Sequence, residues 1–325
     1  MSATAHPTAD VVTAGLRDAL RACEARLAAV VADGITEVAM PGAATLAAGG
    51  KRLRPLLVFA CARAGGPPAD AVVRAAAAVE LIHMATLVHD DLLDGATMRR
   101  GRETVASSHG ADAAVQVGDY LFAQAFAELA GADDPAAIEV LALSALDLSQ
   151  GELAQGRAAF DVALSEPAYL DRVRRKTASL FAAACRLGAM LGGGSAEAQQ
   201  QLTAYGEAVG MAFQIFDDIL DVTGASAVTG KRRGADLRDG TVTLPMIYAI
   251  QEEPALAGAI RGIGDDDAAI ERLCDRLAAH PGAVRARDRA LAYVNDARGV
   301  LTGVLDGADR RSLLLVADGV VDRYA

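Results

Sequence analysis

Apolar residues recur at three- and four-residue spacing along almost the whole chain, as at Leu16, Leu20, Leu27 and Val30, while strand-type alternation is nearly absent. That period predicts an all-α fold. Helices are expected over 10–33, 53–64, 70–95, 111–131, 135–160, 167–192, 196–222, 241–251, 267–279, 283–304 and 309–323. Gly65-Gly66-Pro67-Pro68, Gly192-Gly193-Gly194 and Pro281-Gly282 punctuate them. Between Thr223 and Gly240 the chain is too polar and glycine-rich for a regular helix, and it reads as a loop placed to cover a ligand.

Two of the apolar runs close on the same acidic pattern, D-D-x-x-D: Asp90, Asp91 and Asp94, then Asp217, Asp218 and Asp221. Residues i and i+4 share a helix face, so the first and last aspartates of each copy project together. An acidic cluster is ordinarily a solvated helix face. Leu92 and Leu93 inside the first copy, and Ile219 and Leu220 inside the second, argue against exposure on both occasions. Concentrated, partly buried carboxylates call for cations, and hard divalent ions fit oxygen donors. Magnesium in particular bridges protein carboxylates to substrate phosphates.

Composition narrows the classes. With 325 residues, 52% of them hydrophobic, the chain can bury a large core, and no linker-like or low-complexity tract divides it, so a single domain over 1–325 is expected, with 1–9 disordered. The net charge of −11 disfavours nucleic-acid binding. Cys23, Cys61, Cys185 and Cys274 are scattered without C-x-x-C spacing, which suggests reduced packing thiols in a cytoplasmic protein. The N-terminus lacks the charge and apolar run of a signal peptide. Val72 to Val88 is apolar, but Arg74, Glu80 and His83 make it a better core helix than an integral membrane segment.

Against that negative total, basic residues gather near the acidic copies: Lys51, Arg52 and Arg54 after Gly49-Gly50, Arg99 and Arg100 before Gly101, Arg174, Arg175 and Lys176 before Thr177, and Lys231, Arg232 and Arg233 in the covering loop. Guanidinium forks and lysine point charges both suit phosphate oxygens. Four such islands beside two metal motifs point to two anionic groups. His83 precedes Asp90 by seven residues, which returns it to nearly the same helix face.

Read in order, G-G-K-R-L-R-P, L-I-H-M-A-T-L-V-H-D-D-L-L-D, M-R-R-G, V-G-D-Y-L-F, G-E-L-A-Q, R-K-T-A-S-L-F, F-Q-I-F-D-D-I-L-D and G-K-R-R-G-A-D-L resemble the trans-isoprenyl diphosphate synthases, or polyprenyl synthetases, of medium- or long-chain type. The likeness spans about residues 45 to 250. It implies a helical bundle of the isoprenoid synthase type around a central cavity, acting as a homodimer. It also implies that Asp90, Asp91, Asp94, Asp217, Asp218 and Asp221 hold Mg2+ around an allylic prenyl diphosphate, gripped by Arg99, Lys176 and Lys231. Lys51, Arg54, His83 and Arg100 match the isopentenyl diphosphate site; Thr177 and Gln214 line the reacting centre, and Gln155 matches a polar position facing the metals.

In the family, bulky aromatics four or five residues before the first aspartate shorten the product. Here those positions are Thr86 and Ala85, both small, which implies a product longer than geranylgeranyl, with Met84, Tyr120, Phe122 and Phe126 as a deeper floor. A short-chain farnesyl or geranylgeranyl synthase is the nearest alternative. A terpene cyclase would replace the second aspartate copy, and a non-catalytic regulatory subunit would have lost metal or basic residues. One departure is Thr241, which stands where the family pattern often has lysine; Arg232 or Arg233 is the expected substitute.

Overall fold

The computed structural model describes residues 14–62, 69–224, 233–264, 266–302 and 307–322. Helices dominate it, as the periodicity requires. They fall into two compact units, of which the first takes its residues from 1–145, 180–206 and 300–316, and the second from 146–179, 207–299 and 317–325.

In the first unit the central element is α4 (Asp70–Leu93), which packs chiefly on α6 (Ala111–Ala130) and also on α1 (Ala14–Ala32) and α3 (Leu53–Cys61). Ala75, Ala76, Ala77 and Ala78 are all fully buried, and such small side chains let neighbouring axes approach closely. By length and composition α4 could cross a membrane, yet 72% of its most apolar stretch is buried inside the protein, so it is a core helix. Its end is built into the acidic motif. Asp94 caps it, Gly95 turns left-handed at φ 61°, and the N–H groups of Gly95 and Ala96 return to the carbonyls of Leu92 and Asp91 in a Schellman stop.

In the second unit, α12 (Leu244–Glu252) starts with Pro245 in its first turn and packs on α8 (Glu166–Val173), α13 (Leu256–Arg261) and α14 (Asp267–Ala279). Around them run α15 (Pro281–Val300) and the short α11 (Ala235–Arg238). The remaining described helices are α2 (Thr36–Ala47), α5 (Val105–His109), α7 (Pro135–Arg157), α9 (Ser179–Leu191), α10 (Ala196–Thr223) and α16 (Gly307–Asp322). All four cysteines are buried and free.

The short helices α5, α11 and α13 lie outside those expected from sequence, and three larger features also depart from them. First, α2 was not expected, because Pro41-Gly42 lies inside it; packing on α1 and α6, with Thr45 Oγ1 donating to the Pro41 carbonyl at 3.0 Å, outweighs the local propensity. Second, a two-stranded antiparallel ribbon follows α4, pairing Met98 with Glu103 and Arg99 with Arg102. Arg100 and Gly101 form its turn with φ of 51° and 75°, the doubly left-handed geometry that matches strand twist. Third, the expected helix 167–192 is interrupted by a π-helical turn over Arg174–Ala178. Residues 1–13, 63–64, 303–304 and 323 of the expected segments lie outside the described residues, as do Lys231 and Arg232.

Candidate active site

The end of α4, the ribbon and the start of α3 lie in the first unit, and they bring its predicted site residues together. Asp91 is buried and receives Arg99 at 2.6 Å, while Asp90 is half-buried and Asp94 exposed. Arg100, carried in the ribbon turn, donates to the carbonyl of Gly49. Burial, then the charges of Arg54, Arg100, Arg99 and Arg52, hold the His83 imidazole well below its usual range. His83 is therefore neutral near pH 7 and sits among four guanidiniums.

Arg54 is the least satisfied of these. Its Nε is buried without a hydrogen-bond partner, and its guanidinium lies 4.6 Å from the centre of the Phe181 ring. Burial lowers its pKa to about 10. A buried cation lacking a partner is unfavourable on its own and suits an incoming anion. Lys51, one turn-residue before Arg52, is exposed. Ala85 is fully buried in α4, and Thr86 returns its hydroxyl to the His83 carbonyl at 2.9 Å.

In the second unit the π turn places Lys176 and Thr177. Lys176 Nζ pairs with Glu152 Oε2 at 2.5 Å, and the backbone of Lys176 packs so tightly on α7 that an added Cβ at Gly151 would stand 2.6 Å from its nitrogen. From Thr177 a hydrogen-bonded chain runs inward: Thr177 Oγ1 donates to Gln214 Oε1 at 2.8 Å, and Gln214 Nε2 donates to Asp218 Oδ1 at 2.7 Å. The fully buried Tyr169 closes it by donating to Asp218 Oδ2 at 2.6 Å. Sequence reasoning missed Tyr169 and Glu152. Glu152 carried a signal, since it belongs to the G-E-L-A-Q segment; Tyr169 carried none, because its partner Asp218 lies far along the chain.

The second aspartate copy is thus divided by environment. Asp218 is buried and bonded through both oxygens, Asp217 is half-buried, and both oxygens of Asp221 accept the N–H groups of Ala235 and Asp236 at 3.0 and 3.1 Å. Gln155 is half-buried on α7. Arg233 turns to Glu271, Asp275 and the Val222 carbonyl, so its guanidinium serves this loop rather than standing in for a lysine at Thr241. Among the described residues no group of three or more His, Cys, Asp or Glu is gathered into a metal cage. Magnesium needs none: it takes one or two carboxylates, keeps waters and completes its shell with phosphate oxygens.

Burial raises the Asp218 carboxyl to about 6, against the hydrogen bonds from Tyr169 and Gln214, which lower it. The folded chain then holds this proton more tightly than the unfolded one, so the group favours folding below about pH 4, and that contribution is lost as the pH climbs to about 6. Asp218→Asn is expected to remove this part of the pH dependence in metal-free protein. Thermal midpoints measured between pH 4 and 6.5 check it; an unchanged slope would contradict the assignment.

The profile of the polyprenyl synthetase family matches residues 36–277, about three quarters of the chain. The chain belongs to the polyprenyl synthetase family. By that membership it is a trans-prenyltransferase of isoprenoid biosynthesis, with the all-α fold of those enzymes. It is similar to the nonaprenyl diphosphate synthase of Mycobacterium tuberculosis, 39% identical over 85% of this chain and 84% of that one. Heptaprenyl diphosphate synthase component 2 of Geobacillus stearothermophilus is 42% identical over 68% of this chain and 69% of its own length. The geranylgeranyl diphosphate synthase of Methanosarcina mazei is 34% identical over 85% and 86%. Among solved structures, the decaprenyl diphosphate synthase of Rhodobacter capsulatus superposes with a TM-score of 0.88 at 35% identity, over 95% of this chain and 97% of that one.

Proposed function

We propose that this polyprenyl synthetase joins isopentenyl diphosphate to an allylic prenyl diphosphate and makes a linear all-trans product longer than geranylgeranyl. The observation that carries the reading is the cluster of Arg52, Arg54, Arg99 and Arg100 about a neutral His83, on the helix that ends in the first aspartate copy. Arg52 and Arg99 already have carboxylate partners in Glu24, Glu80 and Asp91, whereas the buried Nε of Arg54 has no hydrogen-bond partner, and the group as a whole suits an incoming anion. The names of the nonaprenyl and decaprenyl relatives, together with the small Ala85 and Thr86, support a long product. The geranylgeranyl relative favours the short-chain alternative.

In this reading both aspartate copies would hold Mg2+ for the allylic diphosphate. Asp90, Asp94 and Asp217 would be its direct donors, being more exposed than Asp91 and Asp218, which instead position their neighbours. Bound magnesium would supply the charge that makes the allylic C–O bond ionisable. Arg99 and Lys176 exchange Asp91 and Glu152 for phosphate oxygens, Lys231 is the third cation that the family pattern assigns to that diphosphate, and Thr177 and Gln214 face the developing cation. Lys51, Arg54, His83 and Arg100 hold isopentenyl diphosphate, whose double bond attacks that carbocation. That attack leaves a new, tertiary carbocation, which loses a proton to the departed diphosphate and so becomes the longer allylic product. No side-chain nucleophile is needed, and the stabilisation is electrostatic and preorganised.

The whole chain acts as one catalytic domain, a homodimer in the cytoplasm; the exposed Leu146 and Leu153, one heptad apart on α7, offer apolar surface for the second copy. The similarity to a protein called component 2 favours a second reading, in which a different chain completes the enzyme. Purified chain supplied with Mg2+, farnesyl diphosphate and labelled isopentenyl diphosphate separates the two. Extension alone supports the first reading, and its absence under saturating substrates overturns it. Thr86→Phe is expected to shorten the chromatographed products by several isoprene units, and an unchanged length distribution would remove Thr86 from the product path.

A further inference from the structure

Arg52 was grouped by sequence with Lys51 and Arg54, but its side chain is turned inward. Its Nη1 donates to Glu80 Oε1 at 2.8 Å, its Nε to Glu24 Oε1 at 2.5 Å, and its Nη2 to the Leu46 carbonyl at 3.2 Å. Glu80 is almost wholly buried, with 4% of its side chain exposed. Arg52 itself caps α3 in a left-handed conformation, φ 47°, which a non-glycine residue adopts only where surrounding contacts hold it. The flanking residues are the ones assigned above to the isopentenyl diphosphate site.

The same anchor governs charge. A Cβ added at Gly50 would stand 3.0 Å from Arg100 Nη1 and 3.3 Å from Arg52 Nη1, so both guanidiniums lie against one glycine. Glu80 is one helical turn before His83 on α4, and its negative charge acts on Arg52 and on Arg54, whose charged form it favours. A buried carboxylate within a group of like charges offsets their mutual repulsion, and it does so while anchoring only Arg52.

We infer that Glu80, through Arg52, is a positioning residue for isopentenyl diphosphate: the pair fixes the left-handed start of α3 and holds Lys51, Arg54 and Arg100 ready for a diphosphate that neither residue touches. The inference rests on the site assignment proposed above. Its consequence is selective, because the allylic diphosphate is held by other groups.

The test compares Glu80→Gln, Arg52→Met and the double variant, with KM measured separately for isopentenyl diphosphate and farnesyl diphosphate, and with thermal midpoints beside them. Each single variant is expected to raise KM for isopentenyl diphosphate about tenfold or more, while KM for farnesyl diphosphate stays within about twofold. The double variant should show no further rise, the signature of two residues acting as one device. It also leaves no buried unpaired charge, so it remains informative should a single variant fail to fold. Equal changes in both KM values, or a lower midpoint with neither changed, would show a merely structural ion pair and overturn the inference. Lys51→Ala and Arg54→Met provide the separate control. If they leave KM for isopentenyl diphosphate unchanged, the site assignment itself fails; if they raise it and Glu80→Gln does not, only the positioning role fails.

Discussion

Asp90→Ala and Asp217→Ala are each expected to lower kcat by about a thousandfold or more, with thermal midpoints close to those of the unaltered protein. The two halves of that expectation have separate causes. Loss of a direct magnesium donor removes several kcal/mol of stabilisation from a departing diphosphate, and about 4 kcal/mol corresponds to three decades in rate. Stability is spared because Asp90 and Asp217 are each half-buried beside other carboxylates of their own copy, and substitutions away from core packing usually stay within about 0.5 kcal/mol. Single-turnover rates with saturating Mg2+ and farnesyl diphosphate provide the measurement. Near-normal turnover in either variant would defeat the mechanism, whatever its effect on metal affinity.

Arg54→Met is expected to move stability and activity in opposite directions. Arg54 is half-buried, but its Nε is buried and unpaired and desolvation lowers its pKa to about 10, so its charge opposes folding. Methionine fills much of the same volume and keeps contact with Phe181, although the cation–π attraction, about 1–2 kcal/mol when desolvated, is lost. Desolvation is the larger effect, and the thermal midpoint should rise by a few degrees. KM for isopentenyl diphosphate should rise about a hundredfold, because a charge-assisted contact to phosphate has gone. A fall in midpoint, or an unchanged KM, would contradict the reading of Arg54 as a cation held for an absent partner.

The all-α architecture and most helix positions were legible because burying one face of a helix imposes a period that the chain cannot disguise, and α4 shows it over its whole length. The aspartates were legible as well, since their chemistry and spacing are local. What escaped was set by distant partners. Nothing within the Lys51–Arg54 segment announces that Arg52 turns to Glu24 and Glu80, and nothing around Pro41 announces a helix that α1 and α6 support from outside. Tyr169 bonds a carboxylate far along the chain, so only the folded arrangement separates Asp218 from Asp217. Six aspartates that look equivalent in sequence are therefore distinguished by burial and hydrogen bonding, and the single basic island at residues 51–54 divides into an inward-anchored Arg52 and the Lys51 and Arg54 proposed for substrate.

The π turn at Arg174–Ala178 carries one residue more than an ordinary helix would use over the same path, and each residue advances a helix by about 100°. Deleting one residue there would allow a regular helix at least as stable as the present one, while turning Lys176 and Thr177 away from Glu152 and Gln214. Selection for stability alone would erase the insertion. The turn marks a place where an irregular backbone sets which way two side chains look, and where engineering for heat resistance would be expected to improve the protein and disable the enzyme in one step.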